Sequence, residues 1–152
     1  MPVSDHLPNF SKKFASFSDY LNDEIIELLP EYESISTLIQ QGQGFMQAEV
    51  HAVLDAKMSK HKTHKLPLVG LSFGSTNINA PAITFIGGIH GIERIGSQVV
   101  LSYLHTLVSR GKWDSNFMRS LNNIRYNFLP VMNPVGMLKG TRSNGNGVDW
   151  NI

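Results

Sequence analysis

Phe85-Ile86-Gly87-Gly88-Ile89-His90-Gly91-Ile92-Glu93-Arg94-Ile95-Gly96 reads as the end of an apolar strand, a glycine-rich turn and the start of a helix. A turn that follows a strand places its side chains at the open carboxyl edge of a sheet, where the sites of open α/β folds collect. His90 and Glu93 stand three residues apart, so an imidazole and a carboxylate converge if the turn tightens into helix. Zinc accepts both ligand types, and two histidines, one glutamate and a water form a catalytic set. On spacing alone the pair reads as well, or better, as a solvated turn histidine beside a glutamate favoured at a helix start. The neighbours weigh the other way: glycines at 87, 88 and 91 suit a tight turn, and Ala82-Ile83-Thr84-Phe85-Ile86 supplies the strand behind it.

Outward from this stretch, Ala82 to Ile86 is apolar almost without a break, the pattern of a strand buried on both faces. A helix is expected from about Glu93 to Arg110, with Ile95, Val99, Val100, Tyr103, Leu104 and Leu107 on its packed face and Gly111 closing it. His105 lies in it as a structural or exposed side chain. A short helix around Phe117, Met118 and Leu121 leads to a second strand, Ile124 to Val131, that ends at Asn133-Pro134. Strand, helix, strand in this order implies a parallel pair with a right-handed crossover, which returns the chain beside His90.

The amino-terminal part is read for packing. Residues 1–18 are expected to be an arm that packs by Phe10 and Phe14 or is disordered, with the folded unit at 19–152. A helix from Asp19 carries Leu21, Ile25, Leu28 and Leu29 until Pro30 stops it, and a second runs from Glu31 to Gln41. Met46 to Leu54 alternates as a half-buried strand, and Leu68, Val69, Leu71 and Phe73 mark its antiparallel neighbour. Between them Lys57 to Lys65 reads as a solvated basic loop, because the lysines beside His61 and His64 repel a cation.

Composition bounds the chemistry. The 152 residues hold 13 basic and 12 acidic side chains, which makes no case for nucleic acid or an anionic membrane as partner. There is no cysteine, so a metal must be held by His, Asp or Glu. Copper or nickel would bind the same imidazole at least as well as zinc, so ligand type alone does not name the metal. No apolar run approaches membrane-spanning length and the start lacks a leader pattern, which makes a cytoplasmic location the default expectation.

Four blocks then bear a family resemblance: Gly88-Ile89-His90-Gly91-Ile92-Glu93-Arg94-Ile95-Gly96, Leu129-Pro130-Val131-Met132-Asn133-Pro134-Val135-Gly136-Met137, Gly140-Thr141-Arg142-Ser143, and Gly147-Val148-Asp149-Trp150-Asn151. In this order they resemble the amino-terminal half of the zinc carboxypeptidase family related to carboxypeptidase A, closest in texture to a bacterial branch. The resemblance implies a three-layer α/β/α fold with a mixed, mainly parallel central sheet, and zinc held by His90 and Glu93. It implies that Arg142 stabilises the oxyanion and that Asn151 helps bind a substrate carboxylate, while Asn133-Pro134 is a structural turn and Asp149 a helper of local structure. The family's carboxylate-clamping arginine is replaced by Ile152, and its third zinc ligand and general-base glutamate have no counterpart here, so the resemblance covers part of a site.

Two classes of function follow. One is a zinc-dependent hydrolase that cleaves a peptide or amide bond, with a deacylase on small N-acyl substrates, like the aspartoacylase group, as its variant. The other is a non-catalytic remnant or binding module. The expected substrate is a peptide or an N-acyl amino-acid-like molecule. A sheet edge that the rest of the family fold would cover is expected to be apolar and open to self-association.

Overall fold

The computed structural model describes residues 14–149, and the part of the expected arm before Phe14 lies outside them. A four-stranded mixed sheet in the order β1-β2-β4-β3 organises the chain, built from β1 (Met46–Ser59), β2 (Lys62–Gly74), β3 (Ala82–Ile86) and β4 (Arg125–Leu129). β1 and β2 are antiparallel, β2 and β4 are antiparallel, and β3 and β4 run parallel from Ala82↔Arg125 to Ile86↔Leu129. The parallel pair is the one the strand, helix, strand order implies. Its crossover is α3 (Ile95–Gly111), followed by the short α4 (Ser115–Ser120).

Before the sheet come a 3-10 turn at Phe17–Tyr20, α1 (Asp23–Leu28) and α2 (Pro30–Gln41). Asn22 caps α1 by accepting from the Ile25 N–H at 2.9 Å. Pro30 opens α2 at its first turn instead of merely ending a helix before it, because a residue without an N–H costs nothing where that group has no helical partner. Phe17, inside the expected arm, is buried and packs edge-on against Tyr32 with ring centroids 5.3 Å apart.

The expected basic loop is a correction. β1 and β2 continue through it to Ser59↔Lys62 and close in a two-residue turn at Lys60-His61. His64 is a strand residue and is buried. Both irregularities of the hairpin fall on β1, so β2 is regular throughout. Yet its buried residues change parity, from Phe73, Leu71 and Val69 to Leu66 and His64. Side chains alternate faces along a regular strand, so the two halves of this ribbon are covered from opposite sides. A pattern read locally as a loop is thus a ribbon whose buried face switches. Near the switch the Tyr32 hydroxyl donates to the Pro67 carbonyl at 2.7 Å, beyond Leu71↔Phe128 where the β4 pairing stops.

The core runs from α2 across the sheet to α3. Phe73, Phe128 and Phe85 stack along one sheet face, with centroids 5.7 and 5.0 Å apart, and Tyr103 of α3 lies over Phe85 at 5.1 Å. α3 buries Val100, Leu101, Leu104, Leu107 and Val108, a face rotated from the expected one; Ile95, Val99 and Tyr103 stay exposed. Ala82 to Ile86, expected to be buried on both faces, is also a correction: among the described residues β3 pairs with β4 alone, and four of its five residues are exposed.

Candidate active site

β3 and β4 end side by side, and the ladder continues past them into the loops. The Gly87 N–H donates to Leu129 O, the Met132 N–H to Gly87 O and the Asn133 N–H to Gly88 O, each at 2.9 Å. Gly88 takes a positive φ of 66°, which turns the chain sharply out of the strand. Gly91 is required by proximity: a Cβ there would stand 2.1 Å from the carbonyl carbon of Gly136 and 2.3 Å from Thr141 O. The segment carrying His90 therefore lies directly on α5 (Pro134–Lys139) and the loop after it.

Asn133 clasps these pieces. Its Oδ1 accepts from the Gly136 N–H at 2.9 Å as the cap of α5, and its Nδ2 donates to Ile89 O and Ser143 O at 3.2 Å. The side chain is buried, so an amide with both an acceptor and two donors is what the position needs. The Asn133-Pro134 turn thus ties the His90 loop to the Arg142 loop.

The expected residues meet. His90 Nδ1 lies 3.3 Å from Glu93 Oε2, and Arg142 donates through Nη1 to Glu93 Oε1. Arg142 Nε donates to Asp149 Oδ2 at 3.0 Å, and Asp149 Oδ1 stands 3.4 Å from His90 Nε2. Arg142 Nη2 is 3.3 Å from the same Nε2. Those last two neighbours require opposite tautomers, since a carboxylate needs a proton on Nε2 and a guanidinium needs a lone pair. Glu93 is held below the usual carboxylate range, chiefly by its hydrogen bond to His90; desolvation opposes this, and the Arg142 and His90 charges lower it further. Burial alone would lower the Arg142 pKa, but hydrogen bonds and charges from Asp149 and Glu93 outweigh it and raise the value.

Glu93 is fixed by its neighbour. Arg94 turns the other way, donating to Glu31 Oε2 at 2.7 Å, to Glu31 Oε1 at 2.9 Å and to Leu28 O at 3.1 Å. Glu31 is buried, so this two-pronged pair bolts the start of α3 to the start of α2. Neither Arg94 nor the contact of Asp149 with His90 was singled out by the sequence. Arg94 pairs across 63 residues, beyond any local pattern, whereas the closeness of Asp149 to the other blocks was a usable signal.

Asn151 and Ile152 lie outside the described residues. His105 is exposed on α3. His64 faces Glu24, whose Oε1 is 3.7 Å from its Nε2; that nitrogen is buried without a hydrogen-bond partner, which corrects the reading of a solvated side chain. A hollow of ≈ 1350 Å³ opens elsewhere, along Gln47, Glu49, His51, Ser72 and Asn127, and none of the four clustered residues lines it. It is an uncovered part of the sheet, so the chemistry of the rim locates the site better than the size of the hollow does.

Among the described residues no group of three or more His, Asp or Glu is set to hold a metal ion, and no helix is long and apolar enough to cross a membrane. The pair His90 and Glu93 still suits zinc in part. Tetrahedral ligands at about 2.1 Å from zinc stand roughly 3.4 Å apart, and Nδ1 and Oε2 are 3.3 Å apart.

Comparison with known proteins bears on the family and the fold. The chain is 34% identical over 102 residues to carboxypeptidase E of Caenorhabditis elegans, covering 56% of this chain and 22% of that protein. It is 31% identical over 71 residues to carboxypeptidase SOL1 of Arabidopsis thaliana, covering 47% of this chain and 14% of the relative. The chain thus spans less than a quarter of the curated relatives it matches. Its fold superposes on a metallo-carboxypeptidase from Burkholderia cenocepacia with a TM-score of 0.55 at 21% identity, covering 78% of this chain and 31% of that structure. The sequence model described as zinc carboxypeptidase matches residues 21–151, and the chain belongs to that family.

Proposed function

We propose that this chain carries part of the active site of a zinc metallopeptidase that hydrolyses a peptide or amide bond in a peptide or N-acyl amino-acid-like substrate. The observation that carries the reading is the convergence of His90 Nδ1, Glu93 and the Arg142 guanidinium at the carboxyl end of β3. His90 Nδ1 and Glu93 would hold the zinc, which when bound supplies a nucleophilic water at neutral pH and draws charge from a carbonyl.

The remaining roles belong to the chain. With Nδ1 given to a metal the proton of His90 stands on Nε2, and Asp149 Oδ1 is the neighbour it suits. Asp149 also holds Arg142 through Nε, which leaves the planar end of the guanidinium near the rim. An Nη turned from Glu93 toward a substrate would donate to an oxyanion, and its charge persists at any working pH. Asn151 would bind a substrate carboxylate, and Ile152 adjoins it without a charge to clamp that group.

Two protein ligands hold zinc less firmly than three. Calorimetry with zinc is therefore expected to show weak binding, and His90→Ala to abolish it. Undiminished zinc affinity in His90→Ala would overturn the assignment. The 152 residues alone are expected to give no chelator-sensitive turnover of C-terminal peptide or N-acyl amino-acid substrates, because a positioned base contributes roughly a hundred- to ten-thousand-fold.

A further inference from the structure

α3 begins without the local devices that start α1, α4 and α5. Asn22, Asp114 and Asn133 cap those helices through their side chains, whereas the residue before α3 is Arg94, which makes no cap. The first turn of α3 holds no acidic residue, and Gly96 within it is a poor helix former. Its opening hydrogen bonds run from the Gly96 N–H to Glu93 O at 3.4 Å and from the Gln98 N–H to Arg94 O at 3.1 Å. A helix start of this kind frays, and Glu93, which stands at its threshold with a half-exposed side chain, would move with it. What ties the threshold down is remote. The Arg94 guanidinium reaches both carboxylate oxygens of Glu31 and the Leu28 carbonyl, and so spans the end of α1 and the first turn of α2.

We infer, on the reading of Glu93 as a zinc ligand, that Glu31 acting through Arg94 is a positioning residue of the metal site: α2 holds the threshold of α3 so that the Glu93 carboxylate stays beside His90 Nδ1. Neither Glu31 nor Arg94 makes a hydrogen bond or ion pair to His90, Glu93 or Arg142, so the effect passes through the backbone of residues 93–96. Stability alone does not call for an ion pair at this place, because apolar side chains of similar volume fill a buried site about as well. A guanidinium supplies direction instead, since its planar fork on three fixed acceptors takes one orientation. Direction matters for a ligand, whose distance to a metal must hold to within about 0.2 Å. Glu31 also disposes of a charge. An unpaired cation one residue from Glu93 would oppose the binding of a metal ion there, and the Glu31 carboxylate neutralises it.

The test compares the 152-residue chain with three variants. Glu31→Gln leaves the Arg94 cation without an opposite charge, Arg94→Lys keeps the charge and loses the fork, and Glu31→Leu combined with Arg94→Met replaces the pair by apolar side chains. Urea unfolding is expected to find the double variant about as stable as the wild type. Hydrogen exchange without metal is expected to be about tenfold faster or more at the amides of Glu93 and Gln98 in Glu31→Gln and in the double variant, with Leu104 to Val108 deeper in α3 unchanged relative to global stability. Zinc calorimetry is expected to show affinity lowered about tenfold or more in the same two variants, and by less in Arg94→Lys. A double variant that regains both protection and zinc affinity would make the pair a plain link between helices and overturn the inference. Unchanged protection at Glu93 and Gln98 in Glu31→Gln, or zinc affinity that His90→Ala abolishes and Glu31→Gln leaves intact, would overturn it too; should the double variant unfold, Glu31→Gln decides. Zinc binding that is absent or does not need His90 sinks the zinc reading instead, and the metal-free exchange then decides by itself whether Glu31 positions Glu93.

Discussion

At the scale of single residues, Glu93 and Arg94 are neighbours that face opposite ways, one into the site and one into the helical layer. Removing the Arg94 side chain leaves the buried Glu31 carboxylate without its partner. Because Arg94 is itself about one-third exposed, Arg94→Ala is expected to cost about 2–3 kcal/mol, below the range for a fully buried pair, as read by urea unfolding. Asp149 offers a second test. It touches both His90 and Arg142, so Asp149→Ala should weaken zinc binding about tenfold or more with little change in stability, checked by calorimetry beside the unfolding curve. That His90 and Glu93 lie together was legible from their spacing and from the strand and glycine turn around them, whereas Arg142 was brought to them only by the family resemblance of the flanking blocks. Arg94 was not legible, since a surface-looking charge reveals its partner only when the fold brings α2 alongside. His64 was misread for a related reason: lysines on both sides describe a solvated strand face as well as they describe a loop.

Among the elements, β3, β4 and α3 were anticipated to within two residues, whereas β1 and β2 run five or six residues further into the hairpin than expected, and the surroundings of β3 and α3 were not foreseen. Ala82 to Ile86 shows how alternation and apolarity report what a segment can bury without saying what buries it. The ends of helices are more local and easier to test. Asp114 caps α4 by accepting from the Phe117 N–H at 2.9 Å, and Arg110 donates to its Oδ2 at 2.7 Å. Its pKa is lowered, first by the Phe117 backbone hydrogen bond and next by Arg110, against a smaller desolvation effect. A carboxyl depressed in the folded state stabilises the protein fully above its unfolded value of about 3.9 and loses that contribution as the pH falls through the folded value. The stability gap between wild type and Asp114→Asn should therefore be widest near neutrality and shrink as the pH falls below the unfolded value. Thermal unfolding of both proteins across that interval checks the sign; a gap that widens toward acid would contradict it.

For the molecule as a whole, the sheet joins contacts of very different reach. The β1–β2 ribbon closes over a two-residue turn, whereas β3 meets β4 only after the whole α3 crossover. The Asn133 clasp is longer in reach again than any turn, binding Ile89 across 44 residues while also holding Ser143. Such a link can form only once both loops have been delivered by the strands beneath them, and the entropy of closing the intervening chain is spent before it contributes anything. Asn133→Ala is accordingly expected to lower equilibrium stability by about 2 kcal/mol through the lost cap and the orphaned carbonyls. The kinetic division of that loss is the sharper expectation: nearly all of it should appear as faster unfolding, with the refolding rate almost unchanged and a φ-value close to zero. Stopped-flow measurement of both chevron limbs would show it, and a slowed refolding limb would mean that the clasp forms in the nucleus. The rim that gathers His90, Glu93 and Arg142 is on this account assembled late on the folding route and is among the first parts to come apart.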